Sequence, residues 1–167
     1  MTTINLTAQA PVGSSSTVPS TSNFYPTISA YDTWYNIGVT DWTCGEGDVI
    51  TLNQRCVFNI VDPSVSGSDD LALYSRQLLY DVTAGAGVPA TEKTAQHWRA
   101  FGSGGEANTR LGIINYSETY VAGFGILIPG HTYSWSVQVM KIRIAGSGTC
   151  DVGIWDSFAS ASSAKIY

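Results

Sequence analysis

Along residues 132–144 apolar and polar positions alternate one for one, with Tyr133, Trp135, Val137 and Val139 set against Ser134, Ser136 and Gln138. A period of two is the mark of a strand with one wet face. The preceding run, Gly123–Ile128, is apolar at almost every position, and Pro129-Gly130 separates the two runs. Pro fixes its own φ, and Gly takes the positive φ of a type II turn, so the spacing predicts an antiparallel hairpin with limbs 123–128 and 132–144. After Val139 the phase reverses: Met140, Ile142 and Ile144 are apolar while Lys141 and Arg143 are charged. One inserted residue, a β-bulge, would produce that reversal and bend the strand.

The same kind of pattern marks out the rest of the chain. Tyr31–Thr43 reads as a short aromatic strand with a break at Gly38, and Gly45–Asp48 as a turn. From Val49 to Asp62, Ile50, Leu52, Cys56, Phe58 and Ile60 share one face; only Gln54 interrupts, which fits one long strand or two joined near Asn53. Asp62–Asp70 is a loop by composition. Arg76, Leu78, Tyr80 and Val82 alternate in the next strand, followed by short strands at Gln96–Phe101 and Thr109–Asn115. Cys150–Ile154 is a last strand, and Ser157–Ala164 a small-residue tail. Eight or so strands spaced by turn residues, without an amphipathic helix, predict an all-β antiparallel β-sandwich of jelly-roll layout over residues 31–167.

Residues 1–30 show no period and are rich in Ser, Thr and Pro. Alone, such a segment buries too little apolar surface to offset its ordering entropy. Apolar groups nevertheless punctuate it at Ile4, Leu6, Val12, Val18, Phe24 and Tyr25. This predicts an extended N-terminal arm that gains its order on a neighbouring subunit, with those six residues as the contacts.

Composition narrows the functional classes. Charged residues make up 13% of the chain against about 25% in an average soluble domain, so Ser, Thr, Asn and Gly must cover much of the surface. A net charge of −5 sets nucleic acid aside as a partner, because its binding draws on Lys and Arg displacing counterions. No apolar run approaches the ~20 residues of a membrane-spanning helix. The amino end lacks the basic and apolar segments of a secretory signal, so synthesis in a cytoplasm is expected. The cysteines Cys44, Cys56 and Cys150 fit no zinc spacing and read as thiols, Cys56 on the apolar face of its strand. A Cys44–Cys150 bridge is the alternative a reducing compartment disfavours.

Catalytic chemistry finds little support. His97 and His131 are the only histidines, and no GxSxG elbow or comparable motif is present. Asp69 with Asp70, and Glu46 with Asp48, lie in turns where calcium could be collected, but the EF-hand spacing is absent. No cofactor, metal or catalytic residue is therefore expected, and the chain reads as a non-enzyme. Trp34, Trp42, Trp98 and Trp155 would serve a sugar-binding module if they were exposed, although burial is the default for each.

The hairpin sequence GFGILIPGHTYSWSVQV at Gly123–Val139, on a small, weakly charged jelly roll with a Ser/Thr/Pro arm, resembles the decoration or cement proteins of tailed bacteriophages. It is similar also to the trimeric jelly rolls of fibre tips. The first resemblance implies a structural virion protein, a homotrimer on the outside of an icosahedral head that clamps adjacent major capsid proteins with its arm. The second implies a trimeric receptor-binding or carbohydrate-binding head.

Overall fold

The structure is a computed structural model that describes residues 6–8, 27–28, 30–89, 91–102 and 110–166. Ten strands account for most of them: β1 (Leu6–Ala8), β2 (Thr27–Ile28), β3 (Tyr35–Thr43), β4 (Asp48–Ser64), β5 (Asp70–Asp81), β6 (Ala86–Gly87), β7 (Lys93–Phe101), β8 (Arg110–Val121), β9 (Thr132–Ala145) and β10 (Thr149–Ile166). Among the described residues there is no helix.

One sheet runs β1-β10-β4-β8 with β2 also on β10; the other runs β3-β9-β5-β6 with β7 also on β5. All these pairs are antiparallel. From β2 onward the chain changes sheet at nearly every connection, leaving only β5, β6 and β7 consecutive in one sheet. Orders 2-10-4-8 and 3-9-5-7 are the two four-stranded sheets of a jelly roll. The fold is thus the expected antiparallel sandwich.

Alternation decides which face each strand buries. On β4, Ile50, Leu52, Cys56, Phe58 and Ile60 point inward, and the strand is continuous through Asn53. Against them pack Leu71, Leu73 and Leu79 of β5 and Tyr133, Trp135, Val137 and Val139 of β9, all essentially inaccessible. Each such aliphatic side chain contributes about 1.5–3 kcal/mol by leaving water. Ile28 of β2 is also fully buried, so the core begins inside the first thirty residues. Within the first sheet, Gly112 of β8 lies opposite Phe58 of β4, whose ring lies where a Cβ would stand, 2.3 Å away.

The expected hairpin does not form. β8 and β9 belong to different sheets, and residues 122–131 carry the chain between them. Gly123 and Gly125 have φ of 81° and 96°, outside strand geometry, and the Gly123 N–H donates to the Leu127 carbonyl at 2.9 Å. The Pro129-Gly130 turn itself is present, with Gly130 at φ 86° and His131 N–H donating to the Ile128 carbonyl at 3.2 Å. It steers the chain into β9 alongside Cys44 rather than back onto 123–128.

Nor is there a bulge after Val139. β9 keeps one phase through Lys141, which is only 2% exposed, and Met140 and Ile142 lie on the outer face. The irregularity falls later, where Asp70 pairs Ala145 and Leu71 pairs Arg143. The small-residue tail is likewise part of β10, paired with β4 from Val57 to Asp48. Ala161 and Ser163 are its inward positions, small enough to fit beneath the large residues of the facing sheet. All three cysteines are buried free thiols, and the register places Cys44 and Cys150 at opposite ends of the sandwich, so they do not pair.

Candidate interaction surface

Polar residues on inward-facing positions of β5 join the two sheets. Leu73 pairs Trp98 and Tyr74 pairs Gln96, which leaves His97 as the extra residue of a bulge in β7. A bulge re-aims its side chain. Here the ring turns inward, with Nε2 2.5 Å from Ser75 Oγ, which in turn lies 2.8 Å from the Tyr116 hydroxyl on β8. Burial pushes the His97 pKa down and that of Tyr116 up. Gln77 donates to Glu118 Oε1 at 3.2 Å and accepts from Trp135 Nε1 at 3.3 Å; Lys93 pairs with the same Glu118. A Ser–His hydrogen bond is half of a nucleophile pair, but Ser75 is fully buried, out of a substrate's reach. These groups tie β5 and β7 to β8.

A second polar cluster explains the phase of β9. Lys141 Nζ donates to the Cys150 carbonyl at 2.8 Å and sits 4.3 Å from the Tyr31 ring centroid, while the Arg143 guanidinium lies 4.2 Å from the same centroid. The Tyr31 hydroxyl accepts from Cys150 N–H at 3.0 Å. The acidic turns are equally occupied. Asp69 accepts from the N–H groups of Ser66 at 2.7 Å and Ser147 at 2.6 Å, which holds its carboxyl below the usual range. Arg99 grips Asp70 through two hydrogen bonds of 3.0 and 2.7 Å, with the same effect. Asp48 Oδ2 accepts from Gly45 N–H at 2.7 Å. Among the described residues no group of three or more His, Cys, Asp or Glu could hold a metal ion.

Among the described residues, exposed apolar side chains gather at one end of the sandwich, where the β3–β4, β5–β7 and β8–β9 connections meet. Phe124 is 83% exposed and Ile128 53%, with Ile126 and Val82 beside them. Ile126 and Ile128, with Ala84, Ala86, Val88 and Pro89, line a groove of about 360 Å³. The end is held rigid by its own hydrogen bonds: Ile128 N–H donates to the Tyr133 hydroxyl at 2.8 Å, Val82 N–H to the Thr132 carbonyl at 2.9 Å, and His131 Nδ1 lies 2.7 Å from Asp81 Oδ2. Burial alone would raise the Asp81 pKa, but the Ala84 N–H and the His131 ring hold it low. The apolar run 123–128 thus serves as a displayed loop instead of a buried strand. Its Gly-Phe-Gly spacing was the signal for that, since glycine at alternate positions weakens a strand.

Of the six arm contacts, Ile4, Val12, Val18, Phe24 and Tyr25 lie outside the described residues. Leu6 is in β1, opposite Ile166 on β10 of its own chain. This places β1 at the apolar end, because Lys165 pairs Asp48, whose carbonyl accepts from Ala122 N–H at 2.8 Å. Of the tryptophans weighed for sugar stacking, Trp42 and Trp98 are buried, and the Trp155 side chain lies outside the described residues. Trp34 is half-buried, with the Arg76 guanidinium 4.3 Å from its ring centroid. Arg76 Nε donates to Gln138 Oε1 at 2.8 Å, and Gln138 Nε2 to Asn36 Oδ1 at 2.8 Å, forming a fixed polar row across the outer face of the second sheet.

No protein-family model matches the sequence, and no curated protein matches it. Among solved structures, the chain is similar to one of infectious bursal disease virus strain Gx, at 11% identity and a TM-score of 0.42 over 99% of this chain and 36% of that one. It is similar also to the T13 particle of the same virus, at 11% identity, a TM-score of 0.41 and 98% and 35% coverage. A third likeness is to that virus's VP2 subviral particle, at 14% identity, a TM-score of 0.36 and 98% and 41% coverage. The chain spans about a third to two-fifths of the length of the chains it matches.

Proposed function

We propose that this chain is a structural subunit of a virus particle, a decoration protein that seats as a homotrimer on the outside of a phage head and bridges neighbouring major capsid proteins. The observation that carries this reading is the apolar end, where Phe124, Ile126, Ile128 and Val82 stand in water. The largest apolar patch on a protein's surface is often a site of contact with a partner. β1 lies at the same end, so leader and loops would grip one surface together. A jelly roll serves many functions, so the fold alone does not select this one. The weakly charged surface fits it: with only Lys93, Lys141 and Lys165, little lysine side-chain entropy is lost when subunits pack. Many identical contacts around a symmetric shell then add by multivalency.

The test is attachment to purified heads that lack the protein. The double substitution Phe124→Ser with Ile128→Ser is expected to leave the fold intact, since both side chains are exposed, and to lower occupancy at least about tenfold. Undiminished occupancy would remove the apolar end from the contact and the decoration role with it.

A further inference from the structure

We infer that a cleft on the outer face of the second sheet binds a neutral pyranose sugar. The cleft has a volume of about 350 Å³, within the range of small-ligand pockets and large enough for one or two rings. Its floor is Leu78 of β5 and Ser136 of β9, cross-strand partners whose side chains share the outer face. Tyr80, 45% exposed, and Val88, Thr91 and Glu92 complete its lining.

A pyranose presents a patch of C–H groups on its ring face and hydroxyls around its rim, so its site needs an apolar or aromatic surface and polar groups fixed at the edge. The Tyr80 ring and the Leu78 side chain supply the surface, and Ser136 and Glu92 the edge. Arg76 Nη1 lies 3.5 Å from Glu92 Oε1, and Arg76 is itself held by Gln138 at 2.8 Å and by the face of Trp34. Preorganisation of this kind reduces the ordering cost of binding.

Other ligand classes fit less well. A phosphate would meet the Glu92 carboxylate in a chain of net charge −5. An extended peptide would have to add to β6, the outermost strand beside the cleft, which offers only the two residues Ala86 and Gly87. A wholly apolar ligand would strip water from Ser136 and from the Glu92–Arg76 pair and offer no hydrogen bond in its place. The cleft adjoins the groove of the apolar end and shares Gly87 and Val88 with it, but Ile126 and Ile128 line only that groove and Leu78, Tyr80, Glu92 and Ser136 only the cleft, so different substitutions test the two readings and each can fail alone.

The experiment is an amide-shift titration of the full ¹⁵N-labelled chain with the methyl pyranosides of glucose, mannose, galactose and N-acetylglucosamine, each to tens of millimolar. At least one is expected to give saturable shifts centred on Leu78, Tyr80, Val88, Glu92 and Ser136. Tyr80→Phe should keep the affinity, whereas Tyr80→Ala and Glu92→Gln should each weaken it, the former about tenfold or more. Glu92 is exposed, so its substitution tests the site even if Tyr80→Ala perturbs the sheet. Absence of saturable shifts in the cleft with all four glycosides, shifts confined elsewhere, or equal affinity in Tyr80→Ala, Glu92→Gln and the unaltered chain would overturn the assignment.

Discussion

His97 is half-buried because a one-residue bulge points it inward, and that partial burial favours its neutral form. Linkage gives the sign. Its pKa in the folded chain lies below the ordinary 6.5, so as the pH falls through that value the unfolded chain takes up a proton that the folded chain refuses. Stability is therefore retained above about pH 6.5 and declines below it until the folded pKa is reached. The window is separate from that of Asp69, Asp70 and Asp81, whose pKa values are held below 3.8 and whose contributions fade only in stronger acid. His97→Gln should flatten the pH dependence just below pH 6.5 while costing about 1 kcal/mol at neutral pH for the altered hydrogen bond to Ser75. Denaturant melts of both proteins across that range check this; parallel slopes would assign the titration to another group. Lys141 teaches a related lesson. Its charge suggests the wet face of β9, yet Cys150 and Tyr31 supply a hydrogen bond and an aromatic face that make its buried position tolerable.

Among the strands, β4 and β8 form the most demanding contact, where Gly112 lies opposite Phe58 and the ring fills the missing side chain's place. Gly112→Ala is expected to push that ring off its rotamer and to destabilise the fold by about 1–3 kcal/mol, read as a lowered denaturation midpoint at unchanged slope. Restoring the space with Phe58→Leu in the same chain should recover part of the loss; no recovery would mean that the backbone of β8, not the ring, takes up the strain. The alternation of β4 is legible in sequence because its inward residues are large and apolar. That of β10 is not, because its inward Ala161 and Ser163 are as small as its outward neighbours, and hydropathy cannot tell the two faces apart.

For the whole molecule, the boundary between leader and sandwich matters. Thr27–Ile28 pairs with Gly153 and Val152, and Ile28 is wholly buried, so the folded body starts before residue 30. Removing residues 1–26 is expected to leave a cooperative thermal transition. Removing residues 1–30 also empties the Ile28 site and should cost a further 2–4 kcal/mol or so. Calorimetry of the two truncations distinguishes them, and equal transition temperatures would show that β2 adds nothing to the core.

Local chemistry was enough to define the strand periods on β4, β5 and the first half of β9, the Pro129-Gly130 turn, the sandwich class and the poverty of charge, because each depends on side chains near one another along the chain. It could not say which strands become neighbours. The crossing of residues 122–131 between sheets, the inward Lys141, the long β10 and the placing of Leu78, Tyr80, Glu92 and Ser136 around one cleft all depend on partners far away in sequence. Only the closing of two sheets over a shared core fixes those partners, since burial and hydrogen-bond satisfaction are settled by what lies across the interface.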